Sequence, residues 1–328
     1  MTSKIIGTGS YLPKKIVTND DLSQFLDTND EWISSRTGIK NRHIADLEIG
    51  ETCSFMATQA AKQALLQANL QPEDIDLIVV ATISADYKLP SLACLVQEQL
   101  GAFGAAAFDI SAACAGSIYG LNIAHNFIVS NQYKNVLFIG AEVMSSVVNW
   151  QDRNTAILFG DAASSCVLSK SDDNKSGFID FKLYADGRQH KCIYAPKGGS
   201  LNKLDEEGLR NFEDKLVMNG RETFKFAVRS ICDSIQSILT KNNLTKEDVT
   251  FVVPHQANLR IIEAIAKYVD VPMEKFLVNL DECANTSAAS LMLAYDQANK
   301  KDLLKPKDLL LMLAIGAGFV WGAALYRV

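Results

Sequence analysis

Three residues of types that do chemistry together stand far apart in this chain, two of them beside neighbours too small to fill a core. Cys114 lies in FDISAACAGSIYGL (108–121), with Ala112 and Ala113 before it and Ala115 and Gly116 after it. Ile118, Leu121, Ala124 and Ile128 then recur at helical spacing. A thiol at the start of a buried helix meets unpaired amides and the positive end of the helix dipole, and both favour the thiolate. The small neighbours leave room for a substrate. The same surroundings also describe a plain buried cysteine. His255, in VVPHQAN, follows an apolar run, where catalytic groups and ordinary hydrogen-bonded histidines both occur. Asn285, in ANTSAAS, precedes a helical pattern, the usual place of an N-cap. GAGFVWGAAL puts glycines at the end of the last apolar run, where backbone could approach a substrate closely. Each signal alone is weak; together they suggest a nucleophilic thiol served by two hydrogen-bond donors.

The elements that must carry these residues alternate. LIVVATI (77–83) follows a helical pattern over 55–68, and NVLFIGAE (135–142) follows the helix after Cys114. TFVVPHQ (250–256) follows a helix over 222–240, and LLLMLAIGAG (309–318) follows one over 289–301. Continuous Val/Ile/Leu runs predict strands covered on both faces, hence a layered α/β fold. An internal echo accompanies the alternation. LQPEDIDLIVVAT (70–82) and LTKEDVTFVVPHQ (244–256) share an acidic turn and a buried strand, and each precedes a small-residue helix start, one with Cys114 and one with Asn285. The echo predicts two similar halves, 1–172 and 173–328, joined at the polar turn SKSDDNKSG, with the site between them. Chance likeness of two α/β segments is the other reading.

Composition narrows the function classes. The 328 residues are 48% hydrophobic and 21% charged, with a net charge of -6, an ordinary globular balance that argues against a general nucleic-acid surface. Seven scattered cysteines form no CxxC pair and no zinc-spaced cluster with histidine, as expected in a reducing compartment. MTSKIIGTGSYLPKK has no signal-peptide hydrophobic stretch, and no apolar run approaches the roughly 18 residues of a membrane span. The expectation is a soluble cytoplasmic protein with no nucleic-acid or membrane partner.

The ordered set GTGSYLP, TNDDL, NDEWISSRTGIKNRHIA, AACAG, FGDAAS, VVPHQANLRII, NTSAAS and GFVWGAAL runs nearly end to end. With it the chain resembles the β-ketoacyl-[acyl carrier protein] synthase III family, the initiating condensing enzymes of the thiolase-like superfamily. The resemblance implies a five-layered αβαβα fold of two similar halves and a homodimer. It implies decarboxylative Claisen condensation of an acyl-CoA primer with malonyl-[acyl carrier protein], giving 3-oxoacyl-[acyl carrier protein], CoA and CO2. No cofactor and no metal are implied. A specialised condensing or acyl-transfer enzyme of secondary metabolism is the alternative within the superfamily.

By resemblance, Cys114 is the acylated nucleophile, and His255 and Asn285 stabilise the enolate left by decarboxylation. The backbone of Cys114 and Ala317 forms the oxyanion hole. Trp32 and Arg153 sandwich the CoA adenine, while Thr28, Arg36, Gly220, Phe224, Ala257 and Asn258 line the CoA channel. Leu89 and Ile315 bound the acyl pocket, Leu89 by reaching across the dimer. Lys225, Arg260 and Lys267 form the docking patch for the acidic carrier protein, against which a salt-bridged helix face including Glu263 is the plainer reading. The chain departs from the family pattern at Ala317 and Ala284, which stand for glycines, and at Ile315 and Leu89, which stand for phenylalanines. The smaller Leu89 predicts tolerance of primers longer than acetyl. A papain-like hydrolase also uses Cys, His and Asn, but the signature those enzymes carry around the thiol is missing here. A non-catalytic binding module would leave the intact motifs without a purpose.

Overall fold

Branched apolar runs become the strands of two sheets stacked through a shared helical layer. The computed structural model describes residues 2–173 and 175–328. Its first sheet contains β1 (Ser3–Tyr11), β2 (Leu77–Ala81), β3 (Ala106–Ile110), β4 (Asn135–Glu142) and β5 (Ala162–Lys170), in the order β1-β5-β4-β2-β3. β5 is antiparallel to β1 and β4, and β2 is parallel to β4 and β3. The second sheet contains β6 (Gly177–Ala185), β7 (Phe251–Pro254), β8 (Leu309–Gly316) and β9 (Val320–Arg327), in the order β7-β8-β9-β6. There β9 is antiparallel to both neighbours and β7 is parallel to β8. The series β6-β9-β8-β7 thus repeats β1-β5-β4-β2 in order and direction. Where the first sheet has β3, the second has a single parallel bridge from Val252 to Phe276. The expected polar turn lies between β5 and β6, with its Asn174 outside the described residues.

The pleat assigns the layers, because alternate side chains of a strand face opposite sides. Ile78 and Val80 of β2 pack against α2 (Cys53–Ala68) and α3 (Leu92–Leu100). Leu77, Val79 and Ala81 of the same strand face α4 (Gly116–Val129) and α7 (Ser290–Lys300). Leu310, Met312 and Ala314 of β8 reach those same two helices from the opposite side. Leu309, Leu311 and Leu313 of β8 instead meet α5 (Gly220–Lys241) and α6 (Leu259–Val269). The result is the expected αβαβα stack. Each fully buried Leu, Ile or Val side chain contributes about 1.5–3 kcal/mol, so strands buried on both faces hold the layers together. Helix starts fall where side chains can cap them: Thr52 Oγ1 accepts from the Phe55 amide (3.2 Å), and Asn219 Oδ1 from the Glu222 amide (3.2 Å).

Two glycines let strand and helix start approach closely at the central layer. A Cβ on Gly316, at the end of β8, would lie 2.7 Å from the Cys114 amide nitrogen. A Cβ on Gly140, in β4, would lie 2.3 Å from the Ala288 carbonyl oxygen. Each central strand therefore admits the helix start contributed by the other sheet's half of the chain. The backbone there is unusual: Ala113, Ala284 and Ser287 have φ of 44°, 57° and 49°. Non-glycine residues held in such conformations cost of order 1–3 kcal/mol each and concentrate at functional sites. The glycine expected at 284 would avoid that cost, and this chain carries it on an alanine.

Candidate active site

The ends of β4, β7 and β8 and the starts of α4 and α7 converge on a cavity of about 160 Å³. Cys114, His255 and Asn285 all line it. So do Gly220, Phe224, Ala257, Asn258, Ile315 and Ala317. Met144, Leu158, Phe159, Leu216 and Phe319 complete a largely apolar wall.

Cys114 sits in a short 3-10 turn, Ala113–Ala115, that leads into α4. The sequence argument expects a thiolate favoured by the helix start; the structure overturns that balance. Desolvation pushes the thiol up to about 12; the Ser287 side chain and the Cys114 amide pull it down, and the nearby Glu142 charge raises it further. Desolvation by the opposite half of the molecule is the term a local reading cannot weigh.

Pro254 ends β7 and leaves His255 just past it, held by its amide to the Leu313 carbonyl (2.7 Å). Burial holds its imidazole down to about 3, so the ring is neutral at physiological pH. Nδ1 lies 2.6 Å from Ser290 Oγ, which also accepts from the Gln256 amide (3.4 Å). With Ser290 donating its hydroxyl proton to Nδ1, the ring proton would sit on Nε2, facing away from Ser290. Asn285 is stitched to the segment after Arg153 by its amide to Leu158 (2.9 Å) and by its carbonyl, which accepts from the Gly160 amide (3.1 Å). Its Oδ1 accepts from the Ser287 amide two residues on (2.9 Å), an Asx turn; Asn285 is not the N-cap expected of it, because the short 3-10 turn Ser287–Ala289 starts from Thr286 and α7 from Ala289. With the oxygen so engaged, the side-chain NH2 is the end left for the cavity.

The sequence reading missed Glu142. It ends β4, is fully buried, and receives only donors. Oε2 accepts from Ser84 Oγ (2.5 Å), the Ile83 amide (3.1 Å) and Thr82 Oγ1 (3.3 Å). Oε1 accepts from Ser287 Oγ (3.0 Å). Burial pushes its carboxyl up to about 7 against the pull of these hydrogen bonds. The only trace in the sequence is one carboxylate closing an otherwise apolar run, NVLFIGAE.

The expected CoA residues divide. Gly220, Phe224, Ala257 and Asn258 line the cavity, and Asn258 also caps α6 through the Arg260 amide (2.9 Å). Thr28, Trp32, Arg36 and Arg153 lie outside it. In α1 (Asp30–Thr37), the Trp32 ring carries the Arg36 guanidinium at 4.3 Å from its centroid and that of Arg153 at 4.8 Å. The slot expected between Trp32 and Arg153 is closed by their direct cation–π contact. Arg153 is further tied to the Asp27 carbonyl (2.6 Å) and carboxylate (3.3 Å). Thr28 Oγ1 is buried and has no hydrogen-bond partner among the described residues.

Ile315 borders the cavity, whereas Leu89 is 87% exposed and stands outside the cavity of its own chain. The basic residues are exposed but engaged: Lys225 pairs with Glu222 (3.1 Å), and Arg260 Nε donates to the Ser35 carbonyl (3.1 Å). Lys267 shares an open groove with Glu263, Lys246 and Asp270. Among the described residues no group of three or more His, Cys, Asp or Glu side chains could hold a metal, and no helix is long and apolar enough to cross a membrane.

Residues 108–187 match the family model 3-oxoacyl-[acyl-carrier-protein (ACP)] synthase III, and residues 239–328 match the model of its C-terminal region. A β-ketoacyl-[acyl-carrier-protein] synthase III of Aquifex aeolicus is 49% identical over 327 residues, covering 100% of both chains. A crystal structure of 3-oxoacyl-[acyl-carrier-protein] synthase III from the same species superposes with a TM-score of 0.91 at 48% identity, covering 99% of this chain and 100% of that one. The priming β-ketosynthase of the R1128 polyketide pathway also superposes at 0.91, with 32% identity over 99% of this chain and 96% of that chain.

Proposed function

The chain belongs to the 3-oxoacyl-[acyl-carrier-protein] synthase III family, a family of condensing acyltransferases, and from that premise we propose that Cys114, His255 and Asn285 perform its decarboxylative condensation. The observation that carries this reading is the meeting of all three in one apolar cavity. Cys114 attacks an acyl-CoA thioester; the Sγ–acyl bond forms and CoA leaves. Malonyl-[acyl carrier protein] then loses CO2. The enolate oxygen receives hydrogen bonds from His255 Nε2 and Asn285 Nδ2, and its carbon attacks the acyl-thioester; the new C–C bond forms as the Sγ–acyl bond breaks, releasing 3-oxoacyl-[acyl carrier protein], and the Cys114 thiolate takes up a proton from solvent to regenerate the thiol. The Cys114 and Ala317 amides serve the second oxyanion, a role supported by the close approach of Gly316 to the Cys114 amide. Fixed donors in a water-poor cavity stabilise such developing charge without reorganising. A neutral His255 suits this role, because it donates from Nε2 at any physiological pH. Mass spectrometry after incubation with acetyl-CoA tests the first half: an acetyl group on Cys114 is expected. Product formation that then depends on a malonyl-carrier protein tests the second.

The two substrates bring the same arm on different handles. For acyl-CoA, Trp32 and Arg153 would open to admit adenine, with Thr28 and Arg36 beside them and Gly220, Phe224, Ala257 and Asn258 along the arm. For the carrier protein, Lys225, Arg260 and Lys267 supply local positive charge on a chain that is -6 overall. Two net-negative partners repel at long range, so a positive face near the mouth is needed. Arg260→Glu removes an attraction and adds a repulsion. Its KM for malonyl-carrier protein is expected to rise severalfold, less so at high salt, with a smaller change for acyl-CoA. Equal effects on both substrates would reduce the patch to a solvated helix face.

Leu89 is assigned to the acyl pocket of a second copy. Its exposure, with Tyr87 62% exposed in the same loop, supports an apolar contact between protomers of a homodimer. Leu89→Phe is expected to shift primer preference toward acetyl-CoA in a panel of acyl-CoA thioesters. An unchanged profile would hand the limit to Ile315. The halves 1–172 and 173–328 are proposed as a duplication, supported by the repeated strand order. A cytoplasmic location follows from the same reading.

A further inference from the structure

We infer that Glu142 is a positioning residue for Asn285: through Ser287 it holds the Asn285 carboxamide at the angle from which Nδ2 meets the enolate oxygen. The inference rests on the donor role proposed above for Asn285. An unbroken line of hydrogen bonds carries it. Asn285 Oδ1 accepts from the Ser287 amide at 2.9 Å, and Ser287 Oγ donates to Glu142 Oε1 at 3.0 Å. The other carboxylate oxygen accepts from Ser84 Oγ, the Ile83 amide and Thr82 Oγ1. Ser84 Oγ accepts in turn from the Val143 amide at 2.8 Å, which ties the loop back to the strand end that bears Glu142. Asn285, Ser287 and Glu142 are all buried.

The main chain of Asn285 does not depend on this line, because Leu158 and Gly160 already hold it. Its side chain does. The Ser287 amide keeps Oδ1 on its own side; a carboxamide turned over would present oxygen to the enolate and repel it. That amide belongs to a residue with a φ of 49°, at the first position of the short turn before α7. A side-chain-bearing residue stays in such a conformation only where its surroundings over-determine it. The bond from its hydroxyl to Glu142 is such a constraint.

The residue type at 142 points the same way. The partners of its carboxylate are three hydroxyls and one backbone amide, none of them charged. A buried carboxylate served only by neutral donors is costly to keep. Four donors arriving from two separate segments need two oxygens that only accept, and a carboxylate supplies them. Ile83 lines the cavity, so one side chain fixes that wall and the turn bearing Asn285 relative to each other.

CO2 release from malonyl-carrier protein, measured without acyl-CoA, reads the enolate step apart from acyl transfer to Cys114. Ser287→Ala deletes the hydroxyl and keeps the amide. Its kcat for CO2 release is expected to fall ~10-fold with KM unchanged, since misplacing a group that serves the reacting atoms by ~1 Å can cost ~10²-fold. Glu142→Gln should behave alike, because one carbonyl cannot serve both ends. A purely structural role for Glu142, tying the Thr82–Ser84 loop to β4, is separated by repeating both changes in Asn285→Ala. With the carboxamide gone there is nothing left to position, so neither change should slow CO2 release further. The same loss recurring in that background overturns the inference, as does Ser287→Ala releasing CO2 at the wild-type rate. If Glu142→Gln does not fold, the Ser287→Ala comparison decides alone. An Asn285→Ala protein as fast as wild type refutes the donor role itself, and the positioning with it.

Discussion

Cys114→Ser is expected to yield no acyl-enzyme when mixed with acyl-CoA. Burial already pushes the thiol to about 12. An alcohol starts from a far higher value, and the same desolvation would act on it. The hydrogen bonds at this helix start can lower such a barrier but not remove it. The measurement is labelled acetyl transfer followed by peptide mapping. Cys94 is exposed and serves as the internal control for adventitious labelling. Transfer to the Ser variant at near wild-type rate, or label found on Cys94 in the wild type, would refute the assignment of Cys114.

His255→Ala and Asn285→Ala should lose decarboxylation and condensation while largely keeping acylation. Each removes one donor aimed at the enolate oxygen, and one such donor is typically worth ~10²–10³ in rate. Two donors proposed for the same enolate oxygen act as a unit, so the double variant should lose less than the product of the single losses. CO2 release from malonyl-carrier protein and acetyl occupancy of Cys114 read the two half-reactions separately. Loss of acylation first, with CO2 release intact, would reverse the roles.

Much of this was legible because burial on both faces writes itself as an apolar run. NVLFIGAE was expected to be a strand over 135–142, and β4 spans those residues. Cys114, His255 and Asn285 could be singled out because small or polar neighbours interrupt such runs. What could not be read depends on the opposite half of the molecule. The thiol's rise to about 12 comes from desolvation in a cavity that neither helix start forms alone. Glu142 looked like the polar end of a strand, and Ser287 and Ser290 like small residues that let α7 pack; their roles appear only once Gly140 and Gly316 bring the helix starts together. Trp32 and Arg153 were paired correctly in space, but the sequence could not show that, without a ligand, each is the other's partner.

On the adenine-binding role proposed above for Trp32 and Arg153, that closed pair has a kinetic meaning. Acyl-CoA ends in an adenine that can exchange places with a guanidinium over the indole; a carrier protein brings the same flexible arm with no aromatic base behind it. A clasp that rests shut would then act as a turnstile between two visitors whose reactive ends are alike, admitting the first on its nucleotide badge and leaving the second to gain entry by its protein surface. The order of arrival in a two-stroke cycle would be encoded at the rim, by one tryptophan held between two arginines, well away from the sulfur where the strokes take place.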